Sequence, residues 1–502
     1  MRAVSLTVTE PALLMIAEAL QVIDVVFGFD VEDPINENSD EALLRICRIF
    51  SEEGVRASLF TAGEKARVIR QRGRRDVMDA MRAHETCYHG NYWGEFPVPA
   101  LHYGQEMTWD EAVAFALNVE APGLNDVAEI TGQFPVAWCV HQAQWCPQMA
   151  YALKLAGVRC NAGGPRGWVM NWLSWGRSNC TLSSQPAWDQ HLDPTDRAAV
   201  KPPMDAEAEL AKFQAQFDRM AETQPFITIV GHPTCWANSD WGSLYEYAML
   251  FRHGAPGPYP RPANIRPAQP RSPQDSEAAF DFLRRQIRWL KSRSDVNPTN
   301  YSALCDRDQE SSSKWVTMEQ LVSLAGRMQD RLNYLVDYGT SFSCADVLGM
   351  LTFACEYCWR QGRWPEQIPV QRLLGPTEPI LDNAEPVTLT RENIFAGAIA
   401  AYSIMMDDRR VPGALRASMQ DVGTGAWFHG LARFVGASTR GEMPLQVTVQ
   451  GAPALPLCAD EPAIRDRRFS SSNRAPGLSM EPLWEIWKRQ AWSYRPAVPG
   501  NG

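Results

Sequence analysis

The sequence predicts an α/β protein in which strands and helices alternate up to about residue 310, followed by an all-helical region. In the first part, short runs of β-branched and aromatic residues alternate with amphipathic helical patterns, as in parallel α/β folds. The first of these runs ends in three closely spaced carboxylates. After Ala303 the strand signals stop, and helical patterns cover residues 316–334, 343–360 and 390–406.

The first strand and the acids after it are the most informative stretch. The apolar run from Val22 to Phe29 has the composition of a buried strand. The strand should end before Pro34, because proline cannot donate a hydrogen bond to a β-ladder. Asp30, Glu32 and Asp33 are therefore predicted at the carboxyl end of a strand, where α/β proteins place their chemistry. The alternative is a solvated acidic turn.

The following elements keep the same alternation. Ser39 can cap a helix from about Asp40 to Glu53, which Gly54 ends. A strand over residues 55–60 and a helical stretch over 63–81 come next. This order of strand and helix predicts parallel strands.

Two histidines, His84 and His89, are predicted at a strand end, at the same level of the sheet as Asp30. They are five positions apart, so they have opposite parity along a strand. Their side chains should therefore point to opposite sides of the sheet, so the two rings are not expected to act side by side.

Composition and charge exclude several classes of protein. A formal net charge of -10 argues against a general nucleic-acid binder, which needs clustered Lys and Arg for phosphate contacts. No apolar run approaches the roughly 20 residues of a membrane helix. The first 20 residues carry Glu10 and Glu18 and lack a small-residue cleavage site, which is unlike a signal peptide. We therefore expect a cytoplasmic protein that uses neither nucleic acid nor membrane as a partner.

The twelve cysteines do not have the distribution of a small disulfide scaffold. Cys355 and Cys358 have the spacing of half a zinc or redox motif, but no second pair of suitable spacing accompanies them. We expect reduced, mostly buried thiols.

Five segments, in order, resemble those of the polysaccharide deacetylase superfamily (NodB homology, carbohydrate esterase family 4-like). The resemblance covers roughly residues 20–305. Each motif alone is weak, but five in the right order are fairly specific. The segments are Phe29 to Asp33, Gly54 to Phe60, His84 to His89, Ala152 to Val158 and Pro225 to Pro233.

The resemblance implies a distorted (β/α) barrel of seven or eight strands and a hydrolytic site. Matched to the motifs, Asp30 would be the general base toward water and His232 the general acid. A zinc-like divalent metal would be held by a carboxylate, Glu32 or Asp33, and by His89 as the first of two histidines.

Departures from the family pattern put this metal in doubt. The second metal histidine should stand at position 93, which is Trp93, and no arginine lies near Val140. His141, close by, could be a ligand, a base or a solvent-facing loop residue. We therefore expect no metal or a weakly bound one. The segment from Glu85 to Trp93 is also similar to that of metal-independent, allantoinase-like members of the superfamily.

Tryptophans are frequent between and after the predicted site segments. Aromatic rings at strand ends suit flat or sugar-like ligands. We predict that His141, Trp145, Trp236 and Trp93 contact the substrate, and Trp236 is the ring most expected to line a pocket. The alternative is that these rings pack in the core.

The chain is predicted to divide into a barrel over residues 1–310, a helical domain over 311–440, and an irregular tail over 441–502 with a short helix. Two units in the helical domain, starting at Ser343 and Thr390, each begin 22 residues before a proline, which suggests a repeat. This domain could recruit a partner.

The function predicted is hydrolysis of a non-peptide carbon–nitrogen bond, by a deacetylase-like enzyme acting on an amino sugar or a related small amide. Two alternatives stay open: a metal-independent cyclic amide hydrolase, and an inactive barrel that binds carbohydrate.

Overall fold

The computed structural model describes residues 22–92, 107–139, 146–162, 173–174, 181–183, 204–222, 226–240, 242, 266–311, 314–337, 340–417, 420–460 and 481–495. Within these ranges, a parallel sheet surrounded by helices forms the first part of the chain, and a mainly helical region follows.

In the described part of the chain, nine strands form one parallel, curled sheet. The spatial order is β6-β5-β4-β3-β2-β1-β8-β7, and β9 pairs with the first half of β1. The predicted distorted (β/α) barrel is confirmed, although the sheet of the described residues has nine strands and not the predicted seven or eight. The strands are β1 Ile23–Val31, β2 Ser58–Thr61, β3 Glu85–Tyr88, β4 Ala137–Trp138, β5 Cys160–Asn161, β6 Leu173–Ser174, β7 Thr181–Ser183, β8 Phe226–Gly231 and β9 Val296–Thr299.

Helices cover the outer face of this sheet. Phe27 and Phe29 of β1 point outward, and their rings meet Phe50 edge-on at centroid distances of 5.0 and 5.4 Å. Each buried phenylalanine contributes about 1.5–3 kcal/mol relative to an exposed one. The helices are α1 Asn38–Glu52, α2 Gly63–Gln71, α3 Arg75–Met81, α4 Trp109–Thr131, α5 Pro147–Leu155, α6 Ala206–Ala221, α7 Thr234–Ala237, α8 Pro273–Lys291 and α9 Tyr301–Ser311.

Helix α9 lies across the amino-terminal end of the sheet. The buried carboxylate of Glu85 accepts hydrogen bonds from the backbone N–H groups of Tyr301 (2.9 Å) and Ser302 (2.7 Å). A negative charge at a helix N-terminus is favourable, because the first N–H groups lack helical partners. Farther along the helix, Arg307 donates to Asp24 at 2.6 Å. These contacts fix α9 to the first and third strands.

The region after residue 311 is mainly helical, as predicted, but it also contains short antiparallel strand pairs that the sequence analysis missed. Strands of three or four residues are too short to show a period of two against neighbouring helical patterns. The helices are α10 Met318–Asp330, α11 Cys344–Gln361, α12 Arg391–Asp408 and α13 Thr424–Ser438. The strands are β10 Trp315–Thr317, β11 Leu335–Asp337, β12 Thr340–Phe342, β13 Gln367–Pro369, β14 Val387–Thr390, β15 Ala414–Ala417, β16 Gln420–Gly423 and β17 Gln446–Val449.

These elements form two units of the same topology, strand-helix-strand-strand-helix-strand. In the first unit β10 pairs with β13 around the β11–β12 hairpin, and in the second β14 pairs with β17 around the β15–β16 hairpin. Across the units α11 packs on α12, and α10 on α13. Exchanging the two units exchanges these two contacts, so the arrangement has an approximate two-fold relationship.

The repeat differs in register from the one that the sequence suggests. The sequence pattern suggests that the unit at Ser343 corresponds to the unit at Thr390, whereas in the topology Thr317 corresponds to Thr390. Both threonines cap the first helix of their unit, accepting from the third helical N–H at 3.2 Å. The shared spacing of 22 residues therefore matches the second helix of the first unit, after Ser343, with the first helix of the second unit, after Thr390. The second unit also extends to Val449, beyond the predicted boundary at 440.

The predicted tail contains helix α14, Glu481–Gln490, followed by a short 3-10 turn at residues 491–493. Leu483 and Trp487 pack into the hydrophobic core of the barrel. Trp492 packs into the core of the two-unit region. Among the described residues, no helix combines the length and apolar character needed to cross a membrane.

Candidate active site

Four of the predicted site residues meet at the carboxyl edge of the sheet. Strands β1, β3 and β8 are parallel and end at this edge. Asp30 lies near the end of β1, and His89 and His232 directly follow β3 and β8. Because side chains alternate along a strand, Asp30 and Glu32 face the same side. The carboxylates and His89 are buried, whereas the His232 side chain is 24% exposed.

The two histidines approach the two carboxylates through their Nε2 atoms. His232 Nε2 lies 3.4 Å from Asp30 Oδ2 and 3.4 Å from Glu32 Oε1. His89 Nε2 lies 2.9 Å from Glu32 Oε2 and 4.0 Å from Asp30 Oδ2. Each oxygen of Glu32 therefore faces a different histidine, while Asp30 lies nearer to the more accessible one.

His89 has an acceptor at each ring nitrogen. Its Nδ1 lies 2.5 Å from the carbonyl oxygen of Cys139, which can only accept, so Nδ1 carries a proton. Burial alone would lower the pKa of His89, but Asp30, the contact with Cys139 and Glu32 together raise it well above its usual value. The geometry and the charges both favour an imidazolium held between a carbonyl and a carboxylate.

Asp33 does not join this cluster, and its assignment as an alternative metal ligand is wrong. Its carboxylate accepts from the N–H groups of Ile35 (3.0 Å) and Asn36 (2.9 Å). It also accepts from Asn36 Nδ2 at 2.8 Å and from the hydroxyl of Thr234 at 2.7 Å. Asp33 directly follows Glu32, so its side chain points away from the side that Asp30 and Glu32 face. Its carboxylate stabilises the turn and does not contact the site.

Beneath this turn lies a buried lysine that the sequence analysis did not single out. Lys65 of α2 donates to the carbonyl oxygen of Asp33 at 2.6 Å and to Ser39 Oγ at 2.8 Å, and it pairs with Asp40. Burial lowers the pKa of Lys65, against the opposing effect of Asp40 and Asp33. A lysine inside an amphipathic helix gives no sequence signal that distinguishes such a buried pair from a solvated one. A small cavity beside it is lined by Asp30, Val31, Glu32, Asp33, Ser39, Lys65, Pro233 and Thr234.

His84 lies at the opposite end of β3 from His89, so the expectation that both share the level of Asp30 is wrong for His84. Its Nε2 donates to the carbonyl oxygen of Cys47 at 2.9 Å, and the N–H of Ala57 donates to its Nδ1 at 3.4 Å. Burial lowers the pKa of His84. The strand begins one residue after His84, which is why the two histidines separate.

The prediction that Trp236 lines a pocket is also wrong. Its ring is fully buried against Phe29, at a centroid distance of 5.7 Å, and its Nε1 donates to the carbonyl oxygen of Ala279 in α8 at 3.2 Å. The ring thus packs between the sheet and a helix. Trp93, His141 and Trp145 lie outside the described residues.

The described residues do not fit the metal site that the resemblance implies. Within the described ranges, no group of three or more His, Cys, Asp or Glu is arranged to hold a metal ion. The carboxylate of Asp33 accepts hydrogen bonds within its own turn. The two ring nitrogens of His89 face a backbone carbonyl oxygen and the carboxylate of Glu32. A metal at Nε2 of His89 would have to displace the proton shared with Glu32.

No protein-family model matches this chain, and no curated protein matches it. Among solved structures it is similar to a Mycobacterium smegmatis protein assigned as a polysaccharide deacetylase (15% identity; 58% of this chain and 91% of that chain; TM-score 0.37). It is also similar to a probable polysaccharide deacetylase from Pseudomonas aeruginosa PAO1 (15%; 57% and 91%; TM-score 0.35). A third is Puue allantoinase (14%; 57% and 90%; TM-score 0.32). At these identities and TM-scores, function has to be inferred from the chemistry of the site.

Proposed function

We propose that this protein hydrolyses a non-peptide carbon–nitrogen bond, removing an acyl group from an amino sugar or a related small amide. One observation carries the proposal: Asp30 Oδ2 and His232 Nε2 lie 3.4 Å apart at the carboxyl edge of a parallel sheet. Amide hydrolysis needs a base that activates water and an acid that protonates the leaving nitrogen. A carboxylate beside an imidazole supplies both.

In this mechanism Asp30 takes a proton from the attacking water, and His232 delivers a proton to the leaving nitrogen. The exposed fraction of His232 lets a substrate reach its ring, while the buried Asp30 lies behind it. Glu32 holds His232 from the second side and is itself paired with His89. The protonated His89 offsets part of the negative charge of the two carboxylates, which would otherwise repel each other.

A second candidate is hydrolysis of a cyclic amide without a metal. The contact of 2.9 Å between Glu32 and His89 favours it, because the protonated His89 places a positive charge beside the two carboxylates without a metal. The two candidates use the same base and acid and differ in the substrate that enters.

An assay of acetate and ammonia release across N-acetylated amino sugars and ureides tests both candidates. Release from one class, lost in Asp30→Asn and kept in Asp79→Asn, would support the corresponding candidate. Asp79 is an exposed aspartate that pairs with Arg82 at 2.8 Å on the protein surface, so it is a matched control. No release from any substrate, together with sugar binding, would instead favour an inactive carbohydrate-binding barrel.

A further inference from the structure

The turn after β1 and the turn after β8 are joined by side chains beyond the point where the two strands stop pairing. The last paired residues of the ladder are Phe29 and Gly231. His232 follows directly, and Glu32 lies three residues past the end of the ladder. The ladder therefore does not by itself fix how far His232 stands from the carboxylates.

One hydrogen bond spans this gap close to the site. The hydroxyl of Thr234, two residues after His232, donates to Asp33 Oδ2 at 2.7 Å. Asp33 directly follows Glu32, and both hydrogen-bonding side chains are buried, at 3% and 1% exposed. A hydrogen bond to a buried carboxylate is stronger and geometrically tighter than one between neutral groups.

The acceptor of this hydrogen bond, Asp33, is separately anchored in its own turn. Asp33 Oδ1 accepts from the N–H groups of Ile35 and Asn36, and the carbonyl oxygen of Asp33 accepts from Lys65. These contacts make the Asp33 carboxylate a fixed point on the first turn. A fixed acceptor can define the position of a donor on the second turn.

A second connection lies farther from the site. The side chains of Asn38 in α1 and Asn238 after α7 exchange hydrogen bonds of 2.5 and 3.1 Å. Asn238 Nδ2 also donates to Thr234 Oγ1 at 3.0 Å. The asparagine pair holds the two helical segments together whether or not the Thr234 hydroxyl is present, so the two connections can be broken separately.

We propose that Asp33 and Thr234 are positioning residues, which set the distance from His232 to Asp30 and Glu32. The inference rests on the proposed function, because it assigns a role to the pair in bringing acid and base together. It also explains the carboxylate at position 33 as the acceptor of the Thr234 hydrogen bond, without a metal. Small displacements of reacting groups reduce catalytic rates strongly, so this one hydrogen bond is expected to matter for turnover.

The test compares Thr234→Val, which removes the hydroxyl but keeps the shape, with Thr234→Ser, which keeps the hydroxyl. We expect kcat of Thr234→Val to fall by about tenfold or more, with KM changed by less than about threefold. Thr234→Ser should retain most of the wild-type kcat. Equal kcat values in Thr234→Val and the wild type, or equal losses in both variants, would overturn the proposal.

Asn38→Leu is the control for a merely structural role, because it breaks the asparagine pair and leaves the hydrogen bond from Asn238 to Thr234 in place. It breaks the outer connection and should lower Tm without a selective loss of kcat. If it lowers kcat as much as Thr234→Val does, the position of His232 depends on general packing and the proposal fails. Should Thr234→Val not fold, Thr234→Cys replaces the hydroxyl by a longer, weaker donor and is expected to lower kcat to an intermediate value.

Crystal structures of the wild type and Thr234→Val separate this proposal from the proposed function. We expect the distance from His232 Nε2 to Asp30 Oδ2 to grow by about 0.5 Å or more in the variant. An unchanged distance would refute the positioning role, even if the enzyme is active. If the wild type hydrolyses no substrate but the distance grows, the proposed function fails and the positioning role stands.

Discussion

Glu32 and His89 form the shortest contact among the four clustered site residues, with 2.9 Å between Oε2 and Nε2. The other nitrogen of the same ring lies 2.5 Å from a backbone carbonyl oxygen. A proton must therefore lie between the carboxylate and the imidazole, on one atom or the other. A cation that uses the Nε2 lone pair competes with this proton.

This competition predicts weak, pH-dependent metal binding. Ligands must lose their protons before they bind a metal, and a raised pKa of His89 makes that loss unfavourable at neutral pH. We expect substoichiometric metal in the purified protein, activity that survives chelation, and zinc affinity that increases from pH 6.5 to pH 8.5. Elemental analysis and calorimetric titration measure these quantities. One tightly held zinc ion per chain would contradict the prediction.

Replacing Trp93 by histidine is a complementary test of the metal affinity of the site. The resemblance places a second metal histidine at this position, and an indole offers no lone pair to a cation. Trp93→His is expected to increase zinc affinity, measured by the same titration. An unchanged affinity would mean that one restored imidazole is not enough to form the site.

Asp30→Asn and His232→Ala are expected to reduce turnover by about 10²–10⁴-fold, the usual contribution of a general base or acid. Asn cannot take a proton from water, and Ala cannot give one to the leaving nitrogen. Thermal unfolding should remain cooperative in both variants. Turnover that stays at the wild-type level on a confirmed substrate would remove these residues from the mechanism.

Glu32→Gln should lower the pKa of His89, because it removes a charge that stabilises the imidazolium. A raised folded-state pKa stabilises the protein fully below the unfolded value of about 6.5, and this stabilisation is lost as pH rises through the folded-state pKa. The variant should lose this part of the pH dependence. NMR titration of the His89 ring and unfolding free energies between pH 6 and pH 9 measure both effects. Glu52→Gln, at an exposed ion pair, is the control.

His84 predicts the opposite dependence. Both its nitrogens have partners that suit the neutral ring, and burial lowers its pKa. The unfolded chain takes up a proton near pH 6.5 while the folded one does not, so stability should fall as pH drops below this value. Urea denaturation at pH 7.5 and pH 5.5 measures the loss, which His84→Gln should reduce. An equal loss in the variant would assign the effect to other groups.

Two glycines in equivalent helices of the two-unit region give a matched pair for packing. A Cβ on Gly397 would lie 2.6 Å from Cη2 of Trp427, whereas a Cβ on Gly326 meets nothing within 4 Å. Gly397→Ala should destabilise by about 1–3 kcal/mol through overpacking. Gly326→Ala should stabilise by about 0.5–1 kcal/mol, since alanine is the better helix former. Denaturation midpoints measure both, and equal shifts would refute the described packing.

The sequence predicts the sheet and the carboxyl edge well, because both depend on local patterns. The apolar run before Asp30 and the order of strands and helices fix which residues end at that edge. The choice between Glu32 and Asp33 was open in the sequence. It depends on where the strand ends and on which side chain the Thr234 hydroxyl reaches, 201 positions away along the chain.

The errors have similar causes. His84 and Trp236 carry residue types that suit a site, but their surroundings decide their role, and those surroundings come from distant segments such as Cys47 and Ala279. Helical patterns alone suggest the wrong register for the repeat, because the equivalence is visible only when the strands before and after each helix are included.

The segment from α14 to Tyr494 has a consequence for how the protein can be divided. Leu483 and Trp487 belong to the barrel core, while Trp492 belongs to the core of the two units. The side chain of Gln490 accepts a hydrogen bond from the N–H of Gly375 and donates one to the carbonyl oxygen of Gly375, at 3.2 Å each. A fragment cut at residue 310 would thus expose apolar surface on the barrel that Leu483 and Trp487, far later in the chain, normally cover. The protein should melt in a single transition, and its catalytic part should be obtained in soluble form only when that late segment is supplied.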